Sequence, residues 1–309
     1  MTVTPEPLDG APGAGTGRHT IACMSLPVSA LDPTQPVLVV SPHLDDAILS
    51  AFALCRWERA TVLNVFDGAP TPRHETTWDR LCGFADSDDA VSARHAENAA
   101  AFAGLDVPQL SVGLLDSQYL TAPRGLDEPE RILTAVLDWV HTQGEPRCTV
   151  AVPAGAGRPA PAVSIGGGAT SARKRAIRQA VGPFGGALLD ARSRYIARHT
   201  KPAAQHDHLL VRDVVAGRLA ARPDLDVVLY EEVPYLWGAP GDDQAGSLAR
   251  RCGRVAQPVV IDVDRAEKAR RIGSYRSQLA FLYAPHGPLD STAGLPARER
   301  YWRLTAVGA

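Results

Sequence analysis

Apolar and polar positions mark out a strand–helix–strand unit early in the chain. Val37, Leu38, Val39 and Val40 make an apolar, mostly β-branched run and predict a buried strand over 37–41. Residues 46–57 (DAILSAFALCRW) are apolar nearly all round, as in a helix packed deep against a sheet. A second strand is predicted at 61–66 (TVLNVF). Further along, the pattern predicts helices over 91–104, 131–144 and 207–222, and strands over 110–115, 148–153, 226–230 and 259–263. Helix signals recur at 264–283 and 296–304, whereas 67–90 and 238–257 read as loops. Strands alternating with helices in this way specify an α/β fold, doubly wound, with a mostly parallel sheet and flanking helices.

The alternation breaks over 154–205, a stretch rich in Gly, Ala, Pro and Arg. From Gly157 to Ala204, nine Lys/Arg stand against a single acid, Asp190, and only 171–181 and 187–198 have helical character. The expected organisation is a flexible tail over 1–30, then one domain over 31–309 with a basic insert at about 157–204. Such an insert suits an anionic or carrier-linked ligand, a lid or an oligomer contact, which leaves a homo-oligomer open.

Composition narrows the classes. The chain has 309 residues and a formal charge of −2, so no global basic surplus points to nucleic acid. No apolar run reaches the roughly 18–20 residues of a membrane span. Five cysteines are scattered (23, 55, 82, 148 and 252) with no CxxC pair, which suits a reduced, cytoplasmic chain.

The candidate chemistry follows the first strand. A dinucleotide-binding fold would carry a Gly-rich turn there, and this chain has Ser41-Pro42-His43-Leu44-Asp45-Asp46 instead. His43 and Asp46 are three apart, so a turn entering a helix lets both face one point while Asp45 projects differently. Imidazole plus carboxylate suits Zn²⁺, and a free carboxylate beside it suits a general base. The competing reading is that both Asp residues merely cap a helix. A third ligand must come from elsewhere, and Gln205-His206-Asp207-His208, at a predicted helix start, offers two histidines. Trp78, Trp237 and Tyr235 suit either stacking on a sugar ring or core packing.

These segments resemble the PIG-L/LmbE-like zinc-dependent N-deacetylases. Ser41 to Asp46 is similar to that family's PHxDD signature, and Gln205 to Asp213 (QHDHLLVRD) to its HxDH-x-x-V-R-D segment. Arg94-x-x-Glu97, Leu115-Asp116-Ser117-x-Tyr119 and Tyr230-Glu231-Glu232-Val233-Pro234-Tyr235 resemble three further motifs in the same order. Lys268, Tyr275-Arg276-Ser277-Gln278 and Glu299-Arg300-x-Trp302 continue the likeness to about 304. The resemblance implies a Rossmann-like fold and hydrolysis of an N-acyl group, typically the N-acetyl of an amino-sugar conjugate. It implies His43, Asp46 and His208 as zinc ligands, Asp45 as the base, and Arg94 and Asp116 as holders of sugar hydroxyls.

One departure bears on catalysis. Gln205 stands where the family has a catalytic His. Gln hydrogen-bonds but does not donate a proton at neutral pH, so it joins the substrate contacts. Either His206 takes over the lost role or Asp45 serves as both acid and base. Beside the N-deacetylase reading, the sequence leaves a thiol-conjugate amidase and a non-catalytic binding module as alternatives.

Overall fold

The computed structural model describes residues 31–155, 206–236, 241–279, 282 and 287–308. The tail at 1–30, the insert at 157–204 with the helical character expected at 171–181 and 187–198, Gln205 and Trp237 lie outside the described residues.

The strands are β1 (Val37–Ser41), β2 (Ala60–Asn64), β3 (Gln109–Ser111), β4 (Cys148–Pro153), β5 (Leu225–Tyr230), β6 (Arg254–Asp262) and β7 (Arg298–Ala306). They form one sheet in the order β3-β2-β1-β4-β5-β7-β6. The first five in that order run parallel. β7 lies antiparallel between β5 and β6. The helices are α1 (Asp46–Ser50), α2 (Phe52–Cys55), α3 (Thr77–Cys82), α4 (Ser87–Phe102), α5 (Glu128–Gln143), α6 (His206–Leu219), α7 (Gly241–Arg251), α8 (Arg265–Ile272) and α9 (Arg276–Leu279).

The period-2 alternation of β1 builds a core on each face. Leu38 and Val40 join Ile132 and Val136 of α5 and Val211 and Val215 of α6. Val37 and Val39 join Ile48 of α1, Phe52 of α2, Phe102 of α4 and Ile272 of α8. Burial on both faces explains why these strands read as unbroken apolar runs. The doubly wound, mostly parallel α/β architecture is therefore as expected.

Five local expectations are corrected. The stretch 46–57 is two helices, because Ala51 leaves helical geometry (φ −136°, ψ 29°). The loop expected at 67–90 contains α3, capped by Thr76, which accepts from the Asp79 N–H, and closed by Gly83 at φ +96°. The loop expected at 238–257 contains α7, with Asp242 and Asp243 in its first turn and Arg250 and Arg251 in its last, which complements the helix dipole. The helix expected over 296–304 is β7, whose Tyr301 and Trp302 pack into opposite cores. The helix expected over 264–283 also stops early, at Ile272.

Sheet order positions the site. From β1 the chain moves outward through β2 and β3, then returns to β4 on the other flank of β1. The crevice beyond the carboxyl ends of β1 and β4 is thus a topological switch point, the usual ligand position in open α/β sheets.

Candidate metal centre

The turn after β1 is built from its own side chains. Ser41 Oγ donates to the His43 carbonyl (2.6 Å) and accepts the Ala47 N–H (3.0 Å). The His43 N–H donates to Asp46 Oδ2 (2.9 Å). Tyr275 Oη donates to the Leu44 carbonyl (3.3 Å). This fixes His43 and Asp46 at the crevice, and α6 brings His208 from the opposite side.

Three donor atoms converge. His43 Nδ1 lies 3.3 Å from Asp46 Oδ2 and 3.3 Å from His208 Nε2, and His208 Nε2 lies 3.2 Å from Asp46 Oδ2. Tetrahedral zinc with bonds of about 2.0–2.1 Å separates its ligands by about 3.3–3.4 Å, so the triangle fits that ion. Each imidazole is backed by a carboxylate on its other nitrogen. His208 Nδ1 meets Glu232 Oε1 (3.1 Å), and His43 Nε2 meets Asp207 Oδ2 (3.2 Å). This is the outer-shell pattern that fixes the tautomer of a metal-bound histidine.

Charge follows the geometry. Burial opposes protonation of His208, but Asp46 and then Glu232 raise it to about 9. Burial likewise opposes His43, yet Asp207 and Asp46 hold it well above the ordinary imidazole range. Burial works to raise Asp46, and the two histidines outweigh it, holding the carboxyl well below the usual carboxylate range. A cation entering this triangle replaces protons already stabilised there.

Asp45 differs from its neighbour. It occupies the N-cap position of α1 but makes no side-chain capping bond. Burial first, and the Asp46 charge second, push its carboxyl up to about 6, against the pull of His43 and Arg94. A partly buried carboxylate free of structural duty beside the triangle suits proton transfer.

Arg94 and Asp116 are brought to the same place. Arg94 Nη1 lies 3.5 Å from Asp116 Oδ2, which lies 3.9 Å from His43 Nε2. Arg94 Nε and Nη2 are buried without a hydrogen-bond partner, and Nη2 lies 4.0 Å from Asp79 Oδ1. Tyr235 stands edge-on to the His208 ring at 5.8 Å. His206 opens α6 on an exposed position.

Sequence reasoning missed Asp207, Glu232 and Arg124 as site residues. Asp207 stands between the two histidines that the sequence singles out, and it is buried against His43. Glu232 lies two residues past the carboxyl end of the buried strand β5, and that position was the signal available for it. Arg124 carried no signal within a polar loop. A second acid-rich group, His43, Asp116 and Asp207, shares the His43 ring. Its carboxylates already face Arg94 and Arg124, so their charge is balanced without a metal.

No family model matches the chain, and no curated protein matches it in sequence. Solved structures do match. A deacetylase of the teicoplanin biosynthesis pathway aligns at TM-score 0.55 and 21% identity over 88% of this chain and 99% of its own. The zinc-inhibited form of teicoplanin deacetylase aligns at 0.55 and 20%, over 88% and 99%. The deacetylase of the A40926 pseudoaglycone aligns at 0.54 and 20%, over 90% and 100%. At these identities the likeness shows the fold.

Proposed function

We propose that the protein is a zinc-dependent amidohydrolase that removes an N-acyl group, most simply N-acetyl, from an amino-sugar-bearing small molecule in natural-product biosynthesis. The observation that carries this reading is the 3.2–3.3 Å triangle of His43 Nδ1, Asp46 Oδ2 and His208 Nε2, with an uncommitted carboxylate, Asp45, beside it. Solved proteins of the same fold include teicoplanin and A40926 pseudoaglycone deacetylases, which supports the reaction class and the kind of substrate.

His43, Asp46 and His208 hold the ion. A zinc ion bound by three protein ligands supplies a Lewis acid at the amide carbonyl and lowers the pKa of water. Asp45 takes the proton of the attacking water and delivers it to the departing amine. Arg94 and Asp116 bind sugar hydroxyls. Gln205, outside the described residues, is assigned to substrate contact, and His206 is the rival for the proton-donating role.

The test is metal content followed by an amine-release screen. Purified protein should carry one zinc per chain, lost in His208→Ala. N-acetyl amino sugars and their glycosylated or carrier-linked conjugates are then assayed for free amine and acetate. Stoichiometric zinc with turnover of one such class supports the reading. A metal-free chain that hydrolyses no amide overturns it in favour of a binding module.

A further inference from the structure

We infer that Arg124 is a positioning residue of the metal centre, acting through Asp207 on the ring of His43. The inference rests on the zinc reading above. In the loop over 121–127 every residue is exposed except Arg124, which turns inward. Its guanidinium serves four partners at once. One Nη donates to Asp207 Oδ1. The other donates to the Leu115 carbonyl (2.9 Å) and to Glu128 Oε2 (2.9 Å). The planar group lies 4.2 Å over the Phe66 ring.

Asp207 needs such an anchor. Its carboxylate is buried, and a buried charge must be paired and hydrogen-bonded. Oδ2 accepts the Ser117 N–H (3.0 Å) and faces His43 Nε2 (3.2 Å), so Oδ1 is left for Arg124. With Asp207 fixed, His43 donates from Nε2 and turns the lone pair of Nδ1 toward Asp46 and His208. Remove Arg124, and the carboxylate is free to rotate away from the ring. A lysine offers a point charge but no planar fork, so it meets Asp207 without tying the other acceptors. Because both terminal nitrogens of Arg124 are engaged by protein acceptors, a direct role in gripping substrate is the weaker reading.

The test is a zinc-affinity cycle on the full chain, measured by competition with a chelator. Arg124→Ala should weaken zinc binding by about tenfold or more, in line with losses from other outer-shell positions. Asp207→Asn should do the same. In the Asp207→Asn background, Arg124→Ala should add less than about twofold, because its route to the metal is already cut. Arg124→Lys, which keeps a cation beside Asp207, should lose less than Arg124→Ala. Arg124→Gln carries the same cycle if Arg124→Ala does not fold, as judged by circular dichroism of the metal-free protein. Unchanged affinity in Arg124→Ala, or losses that multiply in the double variant, overturns the inference and leaves the metal centre standing. A wild-type chain that holds no zinc, or a His208→Ala variant that holds it as tightly, overturns both.

Discussion

Asp45 and Asp46 are adjacent and chemically alike, yet their surroundings set them to different tasks. Asp46 Oδ2 accepts the His43 N–H and faces both imidazoles. Asp45 has none of these ties and a carboxyl pushed up to about 6 by burial and its neighbour's charge. Two carboxyls driven apart in this way mark an acid/base group beside a ligand. Asp45→Asn should therefore retain zinc, by metal analysis, while acetate release falls by about 10²–10⁴-fold. Loss of the metal in that variant would assign Asp45 to the ligand set instead. The proton-donor question has a similar test. Because His206 is exposed and Asp207 is the residue of that tripeptide touching His43, His206→Ala should keep zinc affinity and slow acetate release only a few-fold. A loss as large as that of Asp45→Asn would make His206 the acid. The convergence of His43, Asp46 and His208 was legible in the sequence through the motifs that carry them, since the spacing by itself also suits two aspartates that cap a helix. Asp207 and Glu232 were not, because an acid that orients a ligand looks like any other acid until its partner is seen.

At the scale of elements, the turn between α1 and α2 shows why local patterns fail. The apolar run 46–57 has nothing in it to stop a helix. The break is stabilised from 247 residues away: Glu299 of β7 accepts the N–H of Phe52 (3.1 Å) and of Ala53 (2.8 Å), capping α2. The same carboxylate takes Lys268 Nζ at 2.6 Å and the Tyr301 hydroxyl, with Lys268 wholly buried. Removing one partner strands a buried charge, so Lys268→Ala should cost about 3–5 kcal/mol in denaturant unfolding. A loss under about 1 kcal/mol would mean that water reaches the site. The sequence offers Lys268 and Glu299 only as part of a resemblance, and what they do is visible once β7 is a strand. That strand was itself misread, since its aromatic and charged residues suit either period until β5 and β6 supply neighbours. Gly155, just past β4, is a further tie. It sits at φ +88°, its N–H donates to Glu232 (2.9 Å), and an added Cβ would come within 2.2 Å of Arg212 Nη1. Arg212 is in turn held by the Ala154 carbonyl (3.2 Å). Gly155→Ala should destabilise by about 2–4 kcal/mol, from the left-handed backbone and the overpacking together.

Across the whole molecule, the triangle of His43, Asp46 and His208 joins two halves of the sheet. His43 and Asp46 follow β1, and His208 leads α6 into β5. The parallel core, buried on both faces, was legible because unbroken apolar runs separated by amphipathic helices admit few other folds. The meeting of His43 and His208, 165 positions apart, follows from the strand order rather than from any local signal. A cation at that meeting point is a cross-link present in the folded state and absent from the unfolded chain. Folding stability should then rise with free zinc by about 2.7 kcal/mol at one hundred times the dissociation constant. For a chain of this size that amounts to a melting temperature about 5 °C higher than with chelator present, if 1 kcal/mol moves it by roughly 2 °C. His208→Ala should abolish the zinc-dependent shift in a thermal melt, and the chelated melting temperature should also fall, because buried Asp46 and Glu232 lose their partner. The reverse pattern, a shift that survives His208→Ala, would place the stabilising ion elsewhere. Metal binding would then be separate from the crevice where the two halves meet.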